Sequence, residues 1–331
     1  MHPCRDCQIV GECVQIGPMD IQSPFDRIAV RTHRDRAAAG FDNFDFLVRA
    51  AAEGLAERLD DIAREFPKAL VLGCGSGALA NMVQGHGGIL TWVQCDLSPK
   101  MAAMSASRMD GGAEHLVIAA DEEALPFATG AFDVVLSALD LHWVNDLPGA
   151  LIQARQCLRP DGLFLAAVLG GETLTELRRA LLEAESELES GASPRVSPFL
   201  DVRDAGDLLQ RAGFALAVAD TDTIRTSYSN PLALMADLRG MGESNAIAER
   251  RKTFTRRATL MRAAEIYIEA HGDHQGRIPA TFQIITMTAW APAPSQPKPL
   301  SPGSAKVRLA SALGAEERPA GEAADPKLRR P

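Results

Sequence analysis

The chain lacks three features that would place it in a broad class at once. It has no excess of base: 34 Lys and Arg stand against 43 Asp and Glu, a formal net charge of −9. A general nucleic-acid binder shows a basic balance or a basic stripe, so no nucleic-acid partner is expected. No apolar run approaches the length of a membrane span, so no integral membrane segment is expected. The first residues, MHPCRDCQIVGECVQ, lack the basic start and apolar core of an export signal. Internal repeats are missing too. What remains is an ordinary composition, 46% hydrophobic and 23% charged, over 331 residues. That length buries a full core in one large domain or two modest ones.

Cysteine is scarce and unevenly placed. Cys74, Cys95 and Cys157 sit in apolar surroundings, where a reduced thiol is a small hydrophobe. A reducing, cytoplasmic compartment fits that usage. Cys4, Cys7 and Cys13 crowd the start beside His2. Zinc sites pair such ligands across a folded unit, so no metal is expected there. Residues 1–24 read as a leader, disordered or mis-annotated, because Met19 offers a second start at MDIQSPFDR.

The chain then alternates. Phe25 to Arg64 carries apolar residues at helical spacing, and Pro67 breaks the pattern. Strands are expected at Ala69–Leu72, Leu90–Cys95, Leu116–Ala119, Phe132–Leu139 and Leu163–Leu169. Helices fall between them, at Ala78–Gln84, Lys100–Met109 and Leu147–Leu158. Ser98-Pro99 is a helix start, and Arg159-Pro-Asp-Gly162 a turn. Strands alternating with helices imply right-handed crossovers and a doubly wound, mostly parallel α/β sheet. Residues 25–68 add N-terminal helices, 69–290 form the main domain, and about 225–278 is a helical insertion. Phe282–Trp290 reads as the sheet's last strand. The Pro- and Ala-rich stretch 291–331 reads as a disordered tail.

The chemistry begins at ALVLGCGSGALA, residues 69–80. Glycine at 73, 75 and 77 lets backbone approach a ligand at a strand-to-helix turn. The loop fits either a dinucleotide fingerprint or an S-adenosylmethionine (SAM) loop. Asp96, closing the second strand, could accept ribose hydroxyls in either case. Asp121, with Glu122 after it, closes the third strand where a carboxylate meets an adenine amino group, and Leu97 lies beside the ring. No second mononucleotide-binding repeat follows, which argues against a nicotinamide enzyme.

This series, with LPF (125–127) and FDVV (132–135), resembles class I SAM-dependent methyltransferases, whose fold is Rossmann-like. The likeness narrows in SALDLHWVNDLPGAL (137–151), LGGETLTELR (169–178), SPFLDVRDAGDLLQRAGF (197–214), DLRGMGESN (237–245), PATFQI (279–284) and FDR (25–27). These resemble the family of the mitochondrial complex I assembly factor that hydroxylates an arginine, and its alphaproteobacterial relatives. The resemblance implies SAM as cofactor, held by Gly73, Gly75, Gly77, Asp96, Leu97, Asp121 and Glu122. It implies a respiratory complex I subunit as protein substrate. A conventional methyltransferase of a small molecule or carrier protein is one alternative. A non-catalytic assembly chaperone with a degenerate pocket is another.

One residue departs from that pattern. Val71 stands where the family usually keeps an acid that anchors the methionine amino group. Losing such a bond to a charged group is worth about 1.5–3 kcal/mol, so weaker binding is expected rather than none. Past the fourth strand His142, Trp143 and Asn145 are the catalytic candidates, since reacting groups gather beyond the carboxyl ends of such strands. Glu243, Ser244 and Asn245 follow two glycines as a loop over the pocket. Glu172 and Glu176, read as one helical turn apart, are placed to meet a cation. His33-Arg-Asp35 and His271-Gly-Asp273-His274 offer the letters of an iron site, but neither belongs to the motifs, and no metal is expected.

Overall fold

The computed structural model describes residues 23–108, 114–189, 191–297, 304 and 306–316. Two compact units divide it, Met1–Ala293 and Pro294–Pro331. In the second, Leu309–Leu313 forms a short helix within the stretch read as a disordered tail. The expected leader lies almost wholly outside the described residues.

The first unit is built on a seven-stranded sheet. The strands are β1 (Lys68–Leu72), β2 (Thr91–Asp96), β3 (Glu114–Ala119), β4 (Phe132–Ala138), β5 (Leu158–Leu169), β6 (Ala215–Tyr228) and β7 (Ile278–Trp290). Their order is β3-β2-β1-β4-β5-β7-β6, parallel except for β7, which runs antiparallel to both neighbours. The sequence expectation made β7 the terminal strand. It lies instead between β5 and β6, and β6 forms the edge.

The near-continuous apolar strands have a simple cause: both faces are covered. In β4, Val134 and Leu136 point into one core and Val135 into the other. One face is covered by α2 (Phe46–Asp60), α3 (Ala78–Val83), α6 (Thr175–Leu188), α8 (Pro231–Gly240) and α9 (Arg257–His271). The other is covered by α5 (Leu147–Cys157) and α7 (Val202–Arg211). Between β2 and β3 runs α4 (Pro99–Arg108). The Ser98 hydroxyl accepts from Met101 N at 3.1 Å, the N-cap its sequence suggested.

Two local readings need correction. The helical stretch before β1 is broken: α1 (Arg27–Ala37) gives way to a 3₁₀ segment at Ala38–Asn43 before α2. Asp42 and Asn43 favour turns over helix interiors, and Gly40 weakens the helix further. Arg159–Gly162 lies inside β5, as a bulge: Phe132 pairs with Leu158, Val134 with Leu163, and Asp161 takes a φ of 66°.

The order of strands changes direction between β1 and β4. That switch point opens a crevice at the carboxyl ends of the strands, where ligands of such sheets bind. α1 lies across this crevice, tied by Asp26 N donating to Ala246 O and Ala248 N donating to Pro24 O, each at 2.8 Å.

Candidate functional site

The glycine loop joins β1 to α3. Gly73, Gly75 and Gly77 have φ of 65°, 52° and 83°, the region that favours glycine. At Gly73 space also decides: a Cβ there would overlap the Asp140 carboxyl group. The surroundings of Gly75 are open. Asp96 closes β2 fully buried. Its Oδ2 accepts from Gly75 N at 2.8 Å and its Oδ1 from Ser98 N at 2.7 Å. Each oxygen keeps a lone pair for a hydroxyl donor.

Acids and arginines face one another around this loop. Arg34, buried on α1, pairs with Asp140 and stands 3.8 Å from Asp96. Two turns earlier on the same helix, Arg27 reaches Asp121 at 2.6 Å and Glu122 at 2.5 Å. Spacing of seven puts both guanidiniums on one face of α1. Glu122 is fully buried. Burial first, then the neighbouring Asp140, pushes its carboxyl up to about 8 despite Arg27 and Arg34. Arg34 is held protonated: burial opposes its charge, and Asp140 and Asp96 outweigh that.

Asp96, Asp140 and a largely protonated Glu122 therefore share one buried site with two guanidiniums. Glu122 Oε1 and Asp140 Oδ2 are buried with no hydrogen-bond partner. The unpaired buried Asp140 oxygen calls for a donor, and the protonated Glu122 can give a hydrogen bond as well as accept one. The hydroxyls, amino group and ammonium of an adenosyl amino acid are such donors, so the chemistry of the site fits SAM. The space beside the loop measures about 40 Å³, with Arg34, Gly73, Gly75, Asp96 and Met101 on its wall. That space is too small for a nucleoside, so binding would require its wall, Arg34 on α1 included, to move.

The other expected site residues cluster close by. Leu97 packs against the small core cluster that holds Phe25, Val30 and Trp143. Trp143 meets Phe25 edge to face at 5.2 Å and donates from Nε1 to Glu243 Oε2 at 2.9 Å. His142 Nε2 lies 3.1 Å from that same oxygen, while its Nδ1 is buried without a partner. Asn145 holds the N-terminal segment: its Oδ1 accepts from Phe25 N at 2.8 Å, and its Nδ2 donates to Phe25 O at 3.2 Å.

Beyond Glu243 lies a second cavity of about 280 Å³, with Leu47, Leu177, Phe199, Leu238 and Phe282 on its apolar side. Arg195, Arg239 and Glu243 bring the charge, and Arg195 is already paired with Glu185. Glu243 also lines the space at the glycine loop, so it stands on the wall between the two.

Several readings fall elsewhere. Glu172 precedes α6, whose start is displaced by the left-handed Leu174, so it is not one helical turn from Glu176. Glu176 Oε1 accepts from Thr281 Oγ1 at 2.5 Å. Asn245 Nδ2 donates to Pro194 O at 2.8 Å, tying down the loop after Glu243. His33 Nδ1 lies 3.2 Å from Ser244 O, and Asp273 binds backbone of its own loop. Among the described residues no three or more His, Cys, Asp and Glu side chains group at metal-binding spacing. The thiols of Cys74 and Cys95 are pushed well up by burial, which suits packing and not nucleophilic work.

Arg34 and Asp140 were not singled out from the sequence. The signals were present. Asp140 is a lone carboxylate within SALDLHW, and Arg27, Val30, Arg34 and Ala37 share one helical face that is mostly buried.

Comparison with known proteins agrees with this geometry. Residues 70–166 match the family model described as "Methyltransferase domain". The chain is 43% identical over 288 residues to a Danio rerio protein named "Arginine-hydroxylase NDUFAF5, mitochondrial", covering 86% of this chain and 88% of that one. The Homo sapiens protein of that name is 44% identical, covering 86% and 81%. A "Malonyl-[acyl-carrier protein] O-methyltransferase" of Laribacter hongkongensis is 35% identical, covering 84% and 94%. Among solved structures, the YcgJ protein of Bacillus subtilis superposes with a TM-score of 0.50 at 14% identity, covering 73% of this chain and 98% of that one. The fold, the glycine loop with its acids and these relatives converge: the chain belongs to the class I methyltransferase superfamily and, within it, to the family of the mitochondrial arginine hydroxylases.

Proposed function

We propose that this protein binds SAM and hydroxylates an arginine of a respiratory complex I subunit during assembly. The observation that carries the reading is Glu243: one carboxylate holds Trp143 and His142 and lines both cavities. A guanidinium entering the apolar cavity would meet that carboxylate opposite the glycine loop, desolvated and oriented before any chemistry. Trp143 supplies an aromatic face beside it, and His142 is placed to take or give a proton at Nε2. Phe199, Leu238 and Phe282 keep water away from the entering side chain.

On the cofactor side, the Gly73–Gly77 backbone would approach the ligand, Asp96 would take the ribose hydroxyls, and Leu97, Asp121 and Glu122 the adenine. Arg27 and Arg34 would have to yield these acids. Bound SAM would supply an activated methyl group on a sulfonium, whereas hydroxylation would in addition consume an oxygen-donating two-electron oxidant, which the cell extract of the test below supplies.

No described helix is long and apolar enough to cross a membrane. We place the protein in the cytoplasm, at the inner face of the membrane that holds its substrate, whereas the animal relatives are named as mitochondrial.

The test is product mass. Purified protein, SAM and the complex I subunit are incubated in cell extract, and the arginine peptides are read by mass spectrometry. A gain of one oxygen on one arginine supports hydroxylation. A gain of one CH₂ moves the assignment to a methyltransferase, the activity in the Laribacter hongkongensis relative's name. An unchanged arginine, with assembly still dependent on the protein, would leave it as a chaperone.

A further inference from the structure

If SAM is the ligand, its amino-acid half brings an ammonium that needs an ionised acceptor. β1 supplies none. Its residues are Lys68, Ala69, Leu70, Val71 and Leu72, and Val71 is fully buried in the hydrophobic core. The loop that follows adds Cys74 and Ser76, neither of which carries charge at neutral pH.

The neighbouring strand does supply one. Leu72 pairs with Ser137, so the residues after Ala138 emerge beside Gly73. Leu139 takes a left-handed φ of 53° and turns the chain. Asp140 then leans onto Gly73 so closely that a Cβ on that glycine would overlap its carboxyl group. Asp140 is 2% exposed. One oxygen pairs with Arg34, and the other, Oδ2, is buried with no hydrogen-bond partner. The charged groups that act on this cluster are Arg27, Arg34, Asp96, Asp121 and Glu243, while Glu122 is held largely protonated at neutral pH. Acids outnumber arginines, so the cluster has room for a cation.

We infer that Asp140, at the end of β4, is the carboxylate that anchors the cofactor's ammonium, a task that β1 lacks the acid to perform. The assignment rests on the SAM reading above. It recasts Val71: that residue marks a relocated anchor and not a degenerate pocket. A binding residue on a neighbouring strand end serves as well as one on β1, because the two ends lie side by side at the switch point.

Calorimetric titration with three ligands tests this. They are S-adenosylhomocysteine, the same molecule without its amino group, and 5′-methylthioadenosine, which lacks the whole amino-acid end. The wild type is expected to prefer S-adenosylhomocysteine to its desamino form by roughly ten- to a hundredfold, the worth of a hydrogen bond to a charged group. Asp140→Asn is expected to reduce that preference to near unity while binding 5′-methylthioadenosine as the wild type does. Asp140→Ser is the second variant should the first fail to fold, with thermal melting of the free proteins as the check.

Equal weakening of S-adenosylhomocysteine and its desamino form would mean that Asp140 only positions Arg34, and the assignment falls. It falls as well if the preference survives the change. If the wild type binds none of the three ligands, the SAM reading fails, and this assignment goes with it.

Discussion

Trp143 donates its indole N–H to Glu243 across 100 residues of sequence, and the same Glu243 oxygen lies 3.1 Å from His142 Nε2. A single carboxylate thus fixes the indole and the imidazole at the boundary of two cavities. Glu243→Gln keeps the shape and an acceptor for Trp143 but removes the charge. With arginine as substrate, kcat/KM is expected to fall roughly ten- to a hundredfold, from the loss of a charged hydrogen bond. Steady-state kinetics on the substrate peptide, alongside an unchanged melting temperature, checks this. Full activity in the glutamine variant would remove Glu243 from the reaction.

Arg34 answers a different question, that of stability. Its guanidinium lies buried against Asp140 and near Asp96. Truncating one partner of a buried ion pair leaves uncompensated charge and costs about 3–5 kcal/mol. Arg34→Ala is expected to lose stability in that range in urea unfolding, more than Arg262→Ala. Arg262 bonds to Glu187 at 2.7 Å at the surface, where solvent screening leaves such a pair little effect on stability. Equal losses would show that the arginines on α1 do not stabilise the acid cluster.

Glu122 makes the stability depend on pH, and the sign can be worked out. Its carboxyl is raised by burial from an ordinary 4.5 to about 8 in the folded protein. Between those values the folded state holds a proton that the unfolded chain has lost. Stability from this group is therefore full below about 4.5 and is lost as pH rises towards 8. Melting temperature is expected to decline over that window in the wild type. The decline should be smaller in Glu122→Gln, which has no proton to lose. Parallel curves would place the pH dependence in another group.

The sheet was readable from the sequence because strands buried on both faces carry unbroken apolar runs, such as FDVV in β4. The glycine loop and the acids at the ends of β2 and β3 followed from chain order alone. The place of β7 was not readable: its pairing with β5 and β6 is set by contacts over 50 to 127 residues. α1 was obscured for another reason. RTHRDR looks like a solvated face, and only the tertiary fold shows that Arg34 turns inward while Arg31 and Arg36 stay exposed. Asn145 was read for chemistry, yet its amide is engaged by the backbone of Phe25, a partner 120 residues away. Long-range polar pairing of that kind leaves no periodic trace.

Gly73 and Gly75 separate backbone strain from occupied space. Both take left-handed φ, 65° and 52°. An alanine at either position pays about 1–2 kcal/mol for that backbone. At Gly75 nothing stands within 4 Å of an added Cβ, so Gly75→Ala should cost little more in the free protein. At Gly73 the same methyl group overlaps the Asp140 carboxyl, and Asp140 must move away from Arg34. Gly73→Ala is therefore expected to be the less stable by at least about 1–3 kcal/mol, since a buried acceptor or charge loses its partner. Urea unfolding of the two variants measures the difference directly. Equal stabilities would mean that Asp140 yields freely, and that its contact with the glycine loop carries no weight in holding the site together.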